Sequence, residues 1–138
     1  MASWTIVAIH TPILSHNVPN RVLLQTTVPF LQKLGVTDIL GRARPSMSSK
    51  LRQCQRFVQI VGDLTDKHLA KDYSDDPQYF DKNNALSVVD MGCGRGYLTF
   101  ALHGYLAQTR YRLKSRGIQT RPKLVKECNN IFEDLISS

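Results

Sequence analysis

Carboxylates are absent from one long stretch of this chain: Met91 to Lys126 contains none, against eight basic residues, Arg95, Arg110, Arg112, Lys114, Arg116, Arg121, Lys123 and Lys126. Six of the eleven acidic residues fall instead between Asp63 and Asp81, so the formal net charge of +7 is unevenly spread. A basic 95–126 segment is the electrostatic footprint of polyanion binding, with RNA or DNA as the candidate; a solvated helix end and loop explains it equally simply. Long apolar runs are missing too. The apolar stretch Trp4–Ile9 is far short of the roughly twenty residues a bilayer span needs, so no membrane partner is expected. No basic segment precedes it, which argues against a secretory leader. The first twenty residues hold no arginine, against a transit peptide. Cysteine is scarce: Cys54, Cys93 and Cys128 form no C-x-x-C pair and join no histidine cluster, so neither a metal site nor a disulfide framework is expected. Scattered thiols fit a reducing, cytoplasmic setting. Repeats and low-complexity tracts are also lacking. What remains, 42% apolar and 21% charged residues in 138, is ordinary for one globular domain.

The informative stretch is Leu86-Ser-Val-Val-Asp-Met-Gly-Cys-Gly-Arg-Gly96. A short apolar run ends in a carboxylate, Asp90, and glycines follow at alternate positions, Gly92, Gly94 and Gly96. A helix-competent Tyr-Leu-Thr-Phe-Ala-Leu comes next. A strand that bends through glycines into a helix creates a ligand crevice at the strand's carboxyl end. The glycines allow positive φ and let a ligand lie against the backbone. A dinucleotide fingerprint would need glycine at position 97, which is tyrosine, and a P-loop would need a lysine after the glycines. Cys93 sits in the loop as a small residue.

The complete D-x-G-x-G-x-G from Asp90 to Gly96 resembles the first motif of the class I S-adenosylmethionine-dependent methyltransferases. The resemblance extends over Lys50-Leu-Arg-Gln-Cys-Gln-Arg-Phe-Val-Gln-Ile60, Asp90–Leu102 and Gly117-Ile-Gln-Thr-Arg-Pro-Lys-Leu-Val-Lys-Glu-Cys-Asn129. The segment His16 to Asp38, with Pro29-Phe-Leu-Gln-Lys-Leu-Gly-Val-Thr-Asp38, looks like the stretch that precedes this domain. Together they are similar to uncharacterised bacterial methyltransferases related to the eukaryotic methyltransferase-like proteins. The resemblance implies S-adenosyl-L-methionine as cofactor, a Rossmann-like α/β fold, and a cofactor site built from Asp90, Gly92, Cys93, Gly94, Gly96 and Gln119. Asp90 would orient the cofactor amine directly or through water. In this family a Lys-x-x-Gln pair, here Lys50 and Gln53, stands near the loop; an exposed helix face is the plainer reading. No side chain is assigned as catalytic. Methyl transfer is an in-line displacement at an already activated carbon, so positioning dominates.

Two departures from the family pattern stand out. The second strand of such domains ends in an acidic residue that accepts from both ribose hydroxyls, and here the position is Gln119, with one acceptor oxygen and no charge. No D/N-P-P-[Y/F] motif occurs, so the methyl acceptor is not identified. The chain as it stands is therefore expected to be incomplete for catalysis, apparently truncated after the second strand. The rest of the domain, or another chain, would then complete the sheet. A non-catalytic pseudo-methyltransferase and a basic nucleic-acid-binding module are the alternatives.

Three segments are expected: 1–45 irregular and helical, 46–84 a long helix with an acidic linker, and 85–138 the first half of the cofactor-binding domain. Residues 1–20 read as irregular or weakly extended. Arg21 to Leu34 read as helical with Gly35 as the stop. A helix from Ser46 carries the stripe Leu51, Cys54, Val58 and Val61, widened by Phe57 and Leu64. Lys71 to Asn84 reads as a linker. Then come a strand at 86–90, a helix at 97–108, a connection at 109–113, a polar strand at 114–119 and a helix at 121–136. The fold class is thus α/β, a βαβα unit preceded by helices, on a bare two-stranded sheet.

Overall fold

The computed structural model describes residues 2–8, 24–72, 86–106 and 113–136. Along them run β1 (Ala2–Ala8), α1 (Pro29–Lys33), α2 (Ser48–Asp72), β2 (Leu86–Met91), α3 (Tyr97–Leu106), β3 (Leu113–Gln119) and α4 (Pro122–Ile136). The βαβα unit stands as expected, with ends shifted by one or two residues. β2 and β3 pair in parallel from Leu86↔Leu113 to Met91↔Ile118. Parallel neighbours cannot be joined by a tight hairpin, so α3 carries the chain back along the sheet.

The N-terminus corrects the sequence reading. Residues 2–8 are not irregular; they form a third strand, antiparallel to β3 from Ala2↔Gln119 to Ala8↔Leu113, giving the sheet order β1-β3-β2. Trp4-Thr-Ile-Val7 is aromatic and β-branched, which suits a pleated surface once an edge is available to pair with. β3 is therefore central, and its polar sequence makes sense. Ser115, Gly117 and Gln119 are buried while Lys114 and Arg116 are exposed, the alternation of a sheet covered on one face. On β2 the uncovered face shows Val89, 56% exposed, and Met91, 64% exposed.

Three helix boundaries also move. The helix expected over 21–34 is confined to Pro29–Lys33. Pro29 opens it at a position where a missing N–H costs nothing, and Val28 before it is extended, with ψ 138°. Residues 26–27 turn instead of coiling, and residues 21–23 lie outside the described ones. α2 begins at Ser48 because Ser46 is left-handed, with φ 65°. Its stripe buries Cys54 and Val58 completely, but Leu64 is 52% exposed and belongs to the solvent side. Lys71 and Asp72 finish α2; the rest of the expected linker, like residues 107–108, lies outside the described residues.

One core joins these pieces: Leu31, Val36, Cys54, Val58, Phe100, Ala101, Val125 and Cys128. Phe30 stacks on Phe100 at 6.3 Å between ring centres. Close approach of α1 to α3 depends on Gly104, where a Cβ would lie 2.6 Å from Phe30 Cε1. α3 is also tied to the sheet by a hydrogen bond between His103 Nδ1 and the buried Ser115 Oγ, 3.2 Å. His103 is thus a packing residue, as its place on the helix suggests.

Candidate functional site

The loop between β2 and α3 takes its shape from three left-handed glycines, with φ of 74° at Gly92, 59° at Gly94 and 78° at Gly96. An L-residue with a side chain at such a φ carries a steric penalty of about 1–2 kcal/mol. Backbone hydrogen bonds then fix the bend. The amides of Gly92 and Cys93 both donate to the Ile118 carbonyl, at 2.8 and 3.1 Å, so the loop is held to the tip of β3. The Gly96 amide donates to Cys93 O at 2.9 Å, closing the turn, and the Phe100 amide donates to Gly96 O at 2.8 Å as the helix begins.

What the glycines leave beside them decides what the bend is for. A Cβ built on Gly92 or Gly94 would meet nothing within 4 Å. Gly96, by contrast, is buried. The first two glycines therefore border an open cradle, and the third packs the helix start.

Asp90 lies at the carboxyl end of β2, half-buried, and Thr99 Oγ1 donates to its Oδ2. Hydrogen bonds to a carboxylate are among the stronger ones, so Thr99 orients Asp90. A cleft of about 160 Å³ runs beside this pair, lined by Phe57, Val88, Leu98 and Leu102. Thr99 was not singled out from sequence. The available signal was a hydroxyl in the first turn of the helix that follows an acidic strand tip.

Cys93 is half-buried and packs against the core cluster that holds Cys128. The Cys128 thiol faces the Gly94 carbonyl at 4.0 Å, and burial pushes its pKa up to about 12. Cys54, whose thiol faces the Tyr97 carbonyl at 3.8 Å, is likewise shifted upward by burial. Both thiols stay protonated at neutral pH and anchor the loop by packing.

Gln119 makes local hydrogen bonds of its own. Its side chain is buried, and Oε1 accepts from the Thr120 amide at 2.8 Å, from Thr120 Oγ1 at 3.2 Å and from the Arg121 amide at 3.3 Å. The acceptor expected to hold ribose hydroxyls is thus engaged in the turn that leads into α4. The side chain caps that turn, which leaves the amide nitrogen as its remaining hydrogen-bonding group.

Lys50 and Gln53 do reach the loop region. Lys50 Nζ donates to Gln53 Oε1 at 2.7 Å and sits 5.0 Å from the centre of the Tyr97 ring. Arg95 lies 6.0 Å from the same ring and pairs with Glu127 at 3.8 Å. The structure therefore brings Asp90, Gly92, Cys93, Gly94, Gly96 and Gln119 to one edge, and adds Thr99, Tyr97, Lys50 and Arg95.

Residues 49–137 match the model of a methyltransferase-domain family. The chain belongs to that family. The match runs from the first turn of α2 through the end of α4, so it includes the loop and leaves β1 and α1 outside. No curated protein and no solved structure matches the chain. Among the described residues of the methyltransferase domain and its flank, no helix is long and apolar enough to cross a membrane. No group of three metal-ligating side chains occurs among them either.

Proposed function

We propose that the carboxyl edge of β2 and β3 seats S-adenosyl-L-methionine, and that the chain is the cofactor-binding part of a methyltransferase. The observation that carries this reading is the open space beside Gly92 and Gly94 in a bend pinned from below. Such a cradle admits a ligand to van der Waals contact with the backbone, which no side-chain-bearing residue would permit. Asp90, held by Thr99, keeps Oδ1 for an ammonium group. A cationic cofactor suits a carboxylate at the strand tip, whereas a phosphate cradle would place its charge against Asp90. When bound, the cofactor supplies a methyl group already activated for displacement. The protein's share is binding, orientation and exclusion of water. Three free thiols support a reducing, cytoplasmic setting.

Calorimetric titration with S-adenosylhomocysteine tests the reading. Micromolar binding is expected, abolished by Gly94→Trp, which fills the cradle. Absence of binding to the folded wild-type chain would refute it.

A second reading, a pseudo-methyltransferase that keeps the fold without catalysis, is favoured by one observation. Gln119 spends its acceptor on the β3–α4 turn, so the ribose loses the charged partner that the family pattern supplies. A hydrogen bond to a charged group contributes about 1.5–3 kcal/mol, so cofactor affinity would be roughly tenfold to a hundredfold weaker. Recovery of tight binding in Gln119→Glu supports this second reading.

A further inference from the structure

The cations around the loop differ from those elsewhere in the molecule in the partners they keep. Away from the loop, Lys33 pairs with Asp134 at 2.9 Å and Arg42 with Asp38 at 2.8 Å. At the loop, Lys50 is bonded to a neutral amide oxygen, Gln53 Oε1, and lies against the Tyr97 ring. Arg95 shares that ring and reaches a carboxylate only at 3.8 Å. Arg121 and Lys123, exposed at the start of α4, have no carboxylate partner among the described residues. Lys123 lies one turn before Glu127 on the same face of α4, so Arg95, bound to Glu127, places it near the loop as well.

Sequence explains how this charge accumulates. Two stretches of the chain lack acidic residues, 39–62 and 91–126, and they hold thirteen of the eighteen lysines and arginines. The contact of Lys50 with Tyr97, and of Cys54 with the Tyr97 carbonyl, brings the first stretch against the second. None of α2, α3 and α4 has an acidic residue in its first turn. Cations near a helix start oppose its dipole, and carboxylates there would be stabilising. Stability alone therefore does not account for this rim.

The cofactor does not account for it either. S-adenosylmethionine carries two positive groups and one negative group, so a rim of further cations repels it on balance. The charge needs an anion that arrives beside the cofactor. A line of separate point charges passing from α2 over the loop to α4 matches a linear polyanion better than a single small anion.

We propose that Lys50, Arg95, Arg121 and Lys123 form a phosphate-binding rim that draws the phosphodiester backbone of a nucleic acid across the mouth of the crevice, making nucleic acid the methyl acceptor class. This rests on the proposed cofactor reading, which says what the crevice is for; the rim itself is a separate set of side chains. Lys50 and Arg95, steadied by the Tyr97 ring, hold phosphates next to the loop, while Arg121 and Lys123 extend the track along α4. Phosphate contacts fix register and carry no sequence information, so the rim predicts affinity without base preference.

The test uses the full 138-residue chain and fluorescein-labelled single-stranded RNA and DNA oligonucleotides, read by anisotropy at 50 and 200 mM salt. Binding is expected at low salt and should weaken at least tenfold at the higher concentration, because each neutralised phosphate releases counterions. The double variant Arg121→Gln, Lys123→Gln should lose at least tenfold in oligonucleotide affinity and keep its affinity for S-adenosylhomocysteine. Lys33→Gln, a cation off the rim, should change neither. Circular dichroism melting confirms that each variant is folded.

No binding of either oligonucleotide at 50 mM salt overturns the proposal and leaves the cofactor reading to its own titration. So does equal loss in Lys33→Gln and the double variant, since the attraction would then be net charge alone. Binding to phosphatidylserine vesicles as tight as to the oligonucleotides overturns it in favour of a lipid surface. Loss of S-adenosylhomocysteine affinity in Lys50→Gln, with oligonucleotide affinity unchanged, assigns that lysine to the cofactor carboxylate and removes it from the rim. Failure of S-adenosylhomocysteine to bind while the oligonucleotide results hold refutes the cofactor reading and keeps the rim.

Discussion

Glycine does two different jobs in this molecule, and setting the β2–α3 loop beside the helix interior shows which is which. In the loop, Gly92 and Gly94 are left-handed and look onto open space. In α2 and α3, Gly62 and Gly104 have helical backbones, and a Cβ on either would collide with an aromatic ring, Tyr105 and Phe30 respectively. The helix glycines are small because a neighbour needs the room. The loop glycines are small although, among the described residues, nothing beyond their chain neighbours comes within 4 Å of a Cβ there. A crowded helical glycine reports packing; an open, left-handed one reports the shape of the backbone, at Gly35 behind α1 as at Gly92 and Gly94 in the loop.

That contrast is sharpened first at Gly94. Gly94→Trp should reduce S-adenosylhomocysteine affinity by a hundredfold or more in calorimetry, while unfolding free energy falls only by the backbone penalty of about 1–2 kcal/mol. A variant that binds normally would place the ligand elsewhere. The reverse profile is expected at Gly104. Gly104→Val drives a methyl into the Phe30 ring, which is buried and stacked on Phe100 and has nowhere to retreat. Overpacking of this kind costs about 1–3 kcal/mol, measurable as a lower urea midpoint, with ligand affinity unchanged.

A third experiment separates thiol packing from thiol chemistry. Folding raises the Cys128 pKa from 9.0 to about 12, so above pH 9 the unfolded chain releases a proton that the native state retains. Stability should therefore be intact below pH 9 and decline progressively as pH rises toward 12. Replacement by alanine, Cys128→Ala, should flatten that decline in urea titrations at successive pH values. An unaltered slope would mean that the thiol is not held by burial. The smallest effect is expected at Gln119. Gln119→Ala frees the Thr120 and Arg121 amides and should cost about 1 kcal/mol, as losing a helix-entry cap does. Gln119→Glu keeps the cap, and a negative charge ahead of α4 adds about 0.3–1 kcal/mol.

Much of the backbone at the carboxyl edge of β2 was legible beforehand, because the features involved are local. Glycines at every second position after an apolar strand permit a left-handed bend at no steric cost, and Asp90 ends the apolar run before it. The α2 stripe and the α4 apolar face follow from helical spacing. The misreadings came from non-local causes. Residues 2–8 have no partner nearby in sequence, and their strand exists only because β3 offers an edge over a hundred residues away. The polar look of Lys114-Ser-Arg-Gly-Ile-Gln119 misleads until β1 makes β3 central and one sheet face stays uncovered. Leu64 fits the stripe by spacing yet faces solvent at 52% exposure, because the burial of that stripe is set by which neighbours pack on α2 and spacing alone does not specify them. Gln119 could be recognised as a departure, but not as a cap, since its three donors are set by the angle at which the chain enters α4.

The sequence by itself determined the bend after Asp90, the helices on either side of the sheet's carboxyl edge, and an imbalance of charge along the chain. These are consequences of backbone sterics, side-chain period and composition, which act over a few residues. Only the tertiary structure decided that Gln119 caps the turn into α4, and that Lys50 and Arg95 meet over one tyrosine ring. Those outcomes depend on how distant segments pack, and packing is a property of volumes and angles that no single stretch of the chain contains.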